Sequence, residues 1–245
     1  MTSLLAVDNL SKRFGGFVAL DGVSLAVNAG ERVGLIGPNG SGKSTLVNCI
    51  SGATQNESGT VYFNGRRVDG LKAHQRTRLG LARTFQLPRP FVSVSLAENL
   101  KIPLLYAVNA RPGQHFKGAA LEERCEELLS LVGLADKASR RPSELTQIEM
   151  RKLELARAMA TEPKLLIADE AMAGLSHSEV AEIVDLLLRL NSEQGITIVM
   201  IEHIMSAVMR FSQRLIVFVS GRKIADGMPE EVVRNPEVES AYLGQ

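Results

Sequence analysis

The sequence predicts an α/β fold: a mostly parallel sheet carrying helices, an antiparallel β segment at the N-terminal side, and an inserted helical segment. Three observations predict it. Short apolar segments with a period near two crowd residues 1–60, a glycine-dense loop joins one of them to a helix, and in the last third apolar strands alternate with helices.

The segments Leu4 to Asp8, Val23 to Val27 and Arg32 to Ile36 read as strands, broken by Gly15, Gly16, Gly22 and Gly30. After Gly37 the pattern changes to a loop, then a helix over Ser44 to Ser51 with Gly52 as its stop. Residues 59–68 form a hairpin signal that turns at Asn64-Gly65. From Leu87 to Ala160 the pattern is mainly helical, with apolar residues three and four apart in Leu121 to Val132 and Glu149 to Ala160, punctuated by Pro103, Pro112 and Pro142. Lys164 to Ala168, Ile196 to Ile201 and Leu215 to Val219 then read as buried strands, with a helix over Ser178 to Leu190.

With 45% hydrophobic and 22% charged residues, 245 residues suffice to bury a substantial core, which excludes disordered, collagen-like and fibrous chains. Lys and Arg number 28 against 27 Asp and Glu, so a net charge of +1 creates no overall field for a polyanion and no nucleic acid partner is expected. Cys49 and Cys125 lack the spacing of a metal site or a disulfide framework and read as free thiols. Met1 to Phe14 lacks a basic stretch followed by an apolar run, and no window approaches the ~18–20 apolar residues of a membrane span. The chain is expected to be unexported and to reach a membrane only by docking.

Gly37-Pro38-Asn39-Gly40-Ser41-Gly42-Lys43-Ser44-Thr45 fits G-x-x-x-x-G-K-[ST] between an apolar strand and a helix, which predicts the core of a P-loop nucleoside triphosphatase. The glycines let backbone N–H groups turn inward as an anion cradle, to which the helix adds its positive end. Lys43 would reach the β- and γ-phosphates, Ser44 would offer its hydroxyl to Mg²⁺, and Thr45 would support the α-phosphate side. The strand Leu165 to Ala168 ends in Asp169-Glu170. Asp169 would hold the metal through water; Glu170, one residue on, would polarise the water that attacks the γ-phosphate. A nucleotide with Mg²⁺ is therefore the expected ligand.

Lys43 and Asp169 stand 126 residues apart, more than adjacent strands of a compact nucleotide core need, so a segment has been inserted. It opens at Thr84-Phe85-Gln86 and contains Leu145-Thr146-Gln147-Ile148-Glu149 followed by Met150 to Ala158. On these residues the chain resembles the ATP-binding subunit of ABC transporters over essentially its whole length. The resemblance implies a division into a nucleotide-binding core with β subdomain (1–86 and 161–245) and a helical subdomain (87–160). It implies that the nucleotide is ATP, that Gln86 senses Mg²⁺ and the attacking water, that His203 contacts the γ-phosphate, that Phe14 stacks on adenine, and that Ala173-Gly174-Leu175-Ser176 is a dimer-contact loop. His74, His115 and His177 receive no role.

Phe14-Gly15-Gly16, Ala82-Arg83-Thr84-Phe85-Gln86, Ile201-Glu202-His203 and Ala241-Tyr242-Leu243-Gly244 look most like branched-chain amino-acid transporter ATPases, with the lipopolysaccharide-export ATPase similar in several of these places. The implied partners are transmembrane permease subunits, a second ATPase subunit and, indirectly, an external solute-binding protein. The implied location is the inner face of the cell membrane, on the cytoplasmic side, with the surface from Leu87 to Leu96 toward the permease. A soluble DNA or ribosome clamp, a small-molecule kinase and a GTPase are rival readings. The first generally carries two cassettes or a coiled-coil arm, the second gives no use to His203 or to residues 145–158, and the third would need an Asn-Lys-x-Asp guanine reader.

One segment departs from the family. Its signature reads roughly Leu-Ser-Gly-Gly-Gln, and here both glycines are replaced, by Gln147 and Ile148, while Thr146 keeps the hydroxyl offered to the opposite subunit's nucleotide. A β-branched residue is costly at positive φ, so either the backbone at Ile148 is right-handed helical and the site works, or the site is weak. We expect a partly compromised site and a heterodimer whose partner supplies an unaltered signature.

Overall fold

The computed structural model describes residues 3–86 and 88–243. Strands β1 (Leu5–Phe14) and β2 (Phe17–Val27) are longer than the periodicity foretells. Their pairing shifts register between Val7 and Leu10, Leu10 and Lys12, and Lys12 and Arg13, and each irregularity resets the alternation that marks a strand in sequence. After β3 (Arg32–Ile36) and α1 (Lys43–Ser51), β4 (Ser58–Phe63) and β5 (Arg66–Arg67) close the hairpin at Asn64-Gly65. β2, β1, β4 and β5 form one antiparallel sheet in that order.

Next come α2 (Ala73–Arg78) and a three-residue strand, β6 (Leu81–Arg83). The helical stretch holds α3 (Leu96–Pro103), a π-helical turn over Leu104–Val108, α4 (Ala119–Leu131) and α5 (Gln147–Met159). Then β7 (Leu165–Asp169), α6 (His177–Gln194), β8 (Thr197–Ile201), α7 (Met205–Phe211), β9 (Arg214–Val219) and β10 (Arg222–Gly227) follow, with α8 (Pro229–Val232) and α9 (Pro236–Leu243) last. The second sheet runs β10-β9-β3-β8-β7-β6, parallel throughout except for the β9–β10 pair.

Strand periodicity divides the core. Leu166, Ala168, Ile198 and Met200 join α3 to α6 in one apolar cluster, whereas Leu165, Ile167, Val199 and Ile201 join α1 and the first sheet in the other. With both faces covered, β7 and β8 are buried at every residue and read in sequence as unbroken apolar runs. Cys49 and Cys125 are free and buried, as expected. Among the described residues, no helix is long and apolar enough to cross a membrane. The carboxyl ends of β3, β8, β7 and β6, neighbours in the sheet, lie side by side, and in open α/β sheets ligands bind in the crevice outside those ends.

Candidate functional site

The loop after β3 needs its glycines for space as well as torsion. Gly37 sits at φ +152°, and a Cβ there would lie 2.1 Å from the Phe218 carbonyl oxygen. At Gly42, φ is +102° and a Cβ would lie 2.5 Å from the Ala19 carbonyl oxygen. The loop is thus pressed against the ends of β9 and β2, and Gly42 begins α1 without a side-chain cap, leaving the first helical N–H groups free for an anion. Lys43 is buried and folds back, its Nζ donating to the carbonyls of Gly37 (2.7 Å) and Pro38 (2.9 Å). Burial pulls its pKa below the ordinary lysine range, with Glu170 and Asp169 opposing the shift. Asn39, Gly40, Ser41, Gly42, Lys43, Ser44 and Thr45 line a depression of about 190 Å³ whose far wall is Glu170 and His203.

Asp169 ends β7 and is buried, its N–H donating to the Thr84 hydroxyl at 3.1 Å. Glu170 takes a left-handed backbone, φ +47°, fixed by an N–H bond to the Ile201 carbonyl at 2.9 Å. That conformation is uncommon outside glycine and here lifts the carboxylate off the strand line. Glu170 Oε1 lies 3.3 Å from His203 Nε2, and the Gln86 amide donates to Glu170 Oε2. Three residues from three strand ends therefore meet at one carboxylate. Ser44, Asp169 and Gln86 offer a hydroxyl, a carboxylate and an amide oxygen, an all-oxygen donor set that fits Mg²⁺.

Phe14 is 53% exposed on the β1–β2 turn, with the Lys12 ammonium 5.3 Å from its ring centroid. Its cross-strand partner Phe17, rather than Phe14, lines the phosphate depression.

Glu202 receives no role in the sequence beyond its place in Ile201-Glu202-His203. It is buried, accepts the Met172 N–H at 2.9 Å, and burial raises its pKa from 4.5 to about 7, with the Glu170 charge adding to the shift and Arg151 opposing it. Between pH 4.5 and about 7 the folded chain keeps a proton that the unfolded chain has lost, so this group's contribution to stability falls as pH rises through that window. Glu202→Gln keeps the acceptor for Met172 and removes the charge. The variant's thermal midpoint is expected to exceed that of the parent above about pH 7, and the gap to close at pH 4.5. Parallel melting curves across that range would show that Glu202 carries no such linkage.

A sequence model of the ABC transporter family matches residues 20–173, and one described as branched-chain amino acid ATP-binding cassette transporter matches residues 222–245. The LivG high-affinity branched-chain amino acid transport ATP-binding protein of Salmonella typhimurium is 39% identical over 250 residues, covering 99% of this chain and 98% of LivG. The chain belongs to the ATP-binding subunits of ABC transporters. Its type is that of the branched-chain amino acid cassettes, and its activity is ATP hydrolysis coupled to transport. Among solved structures, the ADP conformation of an ABC transporter cassette matches with a TM-score of 0.88 at 32% identity, covering 100% of both chains. A dimeric cassette in a post-hydrolysis state, bound to ADP and inorganic phosphate, matches with a TM-score of 0.81 at 27% identity over 92% of this chain and 98% of that one. Kinase and GTPase readings fall away.

In this cassette the altered signature corrects one expectation. Thr146 is the N-cap of α5, its hydroxyl accepting the Glu149 N–H while Glu149 accepts the Thr146 N–H at 3.0 Å. Ile148 lies inside the right-handed helix and is not among the left-handed residues, so no positive-φ penalty arises there. The reciprocal capping box fixes that geometry without glycine. What changes is the surface: the Gln147 amide reaches across to the Ala173 carbonyl at 3.3 Å, and Glu149 adds a carboxylate. Lys137, hydrogen-bonded to Glu149, holds that carboxyl below its usual range.

A separate groove of about 470 Å³ is walled by Phe85, Arg89, Phe91, Tyr106 and Arg157, with the Arg157 guanidinium 5.0 Å from the Phe91 ring centroid. It opens on the 87–96 surface singled out in the sequence, of which Leu87 lies outside the described residues, as does Gly244 at the other end of the chain.

Proposed function

We propose that this cassette powers import of branched-chain or related amino acids, seated on the cytoplasmic face of the cell membrane against transmembrane permease subunits and served indirectly by an external solute-binding protein. Solute choice belongs to those partners. The apolar groove beside Gln86, half-exposed at Phe85 and Phe91, is the surface for the permease.

The observation that carries the reading is the Glu170 carboxylate, held between Gln86 and His203 and facing the Lys43 loop. Lys43 exchanges its carbonyl partners for the phosphates of ATP, the free N–H groups at the start of α1 meet the same phosphates, and Phe14 stacks on adenine. Ser44, Asp169 and Gln86 would hold Mg²⁺, which would supply positive charge against the negative charge that develops during phosphoryl transfer. Glu170 accepts the proton of the water that attacks the γ-phosphorus, while His203 steadies the γ-phosphoryl oxygens and ADP departs. Two cassettes close face to face, Thr146 of each offering its hydroxyl to the other's nucleotide; dissociation after hydrolysis moves the permease.

The right-handed backbone at Ile148 meets the condition under which the 145–149 site works, so side chains alone favour a second, different ATPase subunit with an unaltered signature: Gln147 and Glu149 change the surface offered to the partner's nucleotide, while this chain's own Lys43, Asp169, Glu170 and His203 are in place. The purified chain alone is expected to hydrolyse ATP slowly, and mixing with that companion to raise turnover cooperatively. Full cooperative turnover by the chain alone overturns the heterodimer.

A further inference from the structure

We propose that Arg83 is a positioning residue of the metal site: it keeps the Asp169 carboxylate oriented in the nucleotide-free cassette and competes with the divalent cation for it. The proposal rests on the reading of Asp169 as the metal-holding acid.

Arg83 is the last residue of β6, three before Gln86, and its side chain and that of Asp169 are 13% and 9% exposed. One arm of the guanidinium, Nη2, lies 2.7 Å from Asp169 Oδ2. The other, Nη1, donates to Asn48 Oδ1 at 2.6 Å and to Ser51 Oγ at 3.4 Å, both on α1. Asn48 stands four residues after Ser44, hence on the same face of that helix. A single planar fork thus ties the helix that carries the phosphate loop to the acid at the end of β7, while the next residue, Thr84, takes the N–H of the same Asp169. The Arg83 Nε is buried and has no partner among the described residues, and its Cζ lies 5.4 Å from the Phe85 ring centroid.

A carboxylate this far from bulk water needs a cationic or hydrogen-bonding partner to offset its lost hydration. Among the described residues Arg83 is the side chain in ion-pair contact with it. That same partner opposes a second cation at the same oxygen. Two cations that share one carboxylate repel, and at effective dielectric constants between those of the protein surface and water that repulsion weakens the divalent ion's binding by about tenfold or more. Arg83 has somewhere to go when it yields: Asn48 and Ser51 remain as acceptors, and the Phe85 ring face is adjacent. Phe85 also walls the permease groove, so the guanidinium links the state of Asp169 to that surface.

The experiment titrates Mg²⁺ into the full chain with a fluorescent non-hydrolysable ATP analogue. In Arg83→Gln the Mg²⁺ midpoint is expected to fall about tenfold or more, with affinity for the analogue in EDTA changed by less than about threefold. Arg83→Lys, which keeps the charge, is expected to stay near the parent midpoint. An unchanged or raised midpoint in folded Arg83→Gln overturns the proposal. If that variant does not fold, the parent chain labelled with nitrogen-15 arginine decides. The Arg83 Nε resonance, assigned from Arg83→Lys, is expected to move when Mg²⁺ joins the bound analogue but not when the analogue binds in EDTA; a resonance indifferent to Mg²⁺ overturns the proposal. Analogue binding by the parent with no Mg²⁺ dependence overturns instead the role of Asp169, and this inference with it.

Discussion

Glu170→Gln is expected to lower ATP turnover by about 10² to 10⁴-fold, the usual value of a positioned general base, while leaving ATP affinity within a few-fold. The exchange is nearly isosteric, and a glutamine oxygen can still accept from the Gln86 amide. The left-handed backbone at position 170 and its N–H bond to Ile201 belong to the main chain and survive. What the amide cannot do is take a proton from the attacking water. Binding is carried elsewhere, by Lys43 and the loop N–H groups on the opposite wall of the depression. Single-turnover hydrolysis and equilibrium binding of a non-hydrolysable analogue separate the two effects. Turnover retained within about tenfold removes Glu170 from the role of base; lost binding with normal turnover per bound ATP would place it with the phosphate-holding groups.

The phosphate loop was legible because its chemistry is local: consecutive residues must bend, approach backbone and present N–H groups, and composition announces each demand. The acids at 169 and 170 were legible from an apolar strand that ends in charge. Gln86 and His203 carry no such local mark, and only resemblance to a family placed them. The structure adds why they matter together, since adjacent strand ends deliver both to one carboxylate. The bulges in β1 concealed its length by breaking the period. At Ile148 the right-handed alternative holds, because a helix can begin on a Thr146–Glu149 capping box as well as on glycines, and backbone strain alone does not decide between the two. Arg83 and Glu202 stand in stretches that carry the resemblance, but sequence assigns them no role because their partners lie 86 and 30 residues away, at Asp169 and Met172. A basic residue at the end of an otherwise apolar strand was the available signal for the first.

Arg76 is the other residue whose weight only the fold reveals, and Arg76→Met is expected to cost about 2–4 kcal/mol of stability. Its side chain is 1% exposed, among the largest fully buried ones, and among the described residues its bonds go to no carboxylate. Its donors go to backbone carbonyls: Cys49 at 2.6 Å and Ile50 at 2.7 Å near the C-terminal end of α1, Leu71 and Asp69 at 3.0 Å each. A guanidinium there satisfies carbonyls that a helix end leaves open and sits at the negative pole of the dipole. Burial pulls its pKa below the usual arginine range, so part of the gain from these bonds offsets desolvation. Methionine fills similar space but strands four acceptors away from water, and each buried acceptor left unpaired costs about 1–3 kcal/mol before the structure relaxes. For a chain of this length the expected fall in thermal midpoint is roughly 5–15 °C. Arg76→Lys, with one ammonium for four carbonyls, should fall between. Because α1 begins at Lys43, loosening its far end also slackens the phosphate loop, so saturating ATP analogue with Mg²⁺ should recover part of the lost midpoint by mass action. A midpoint within about 2 °C of the parent would mean that water or backbone rearrangement satisfies these carbonyls, and the clamp on α1 would then have to be sought in its apolar face, Leu46, Val47 and Ile50.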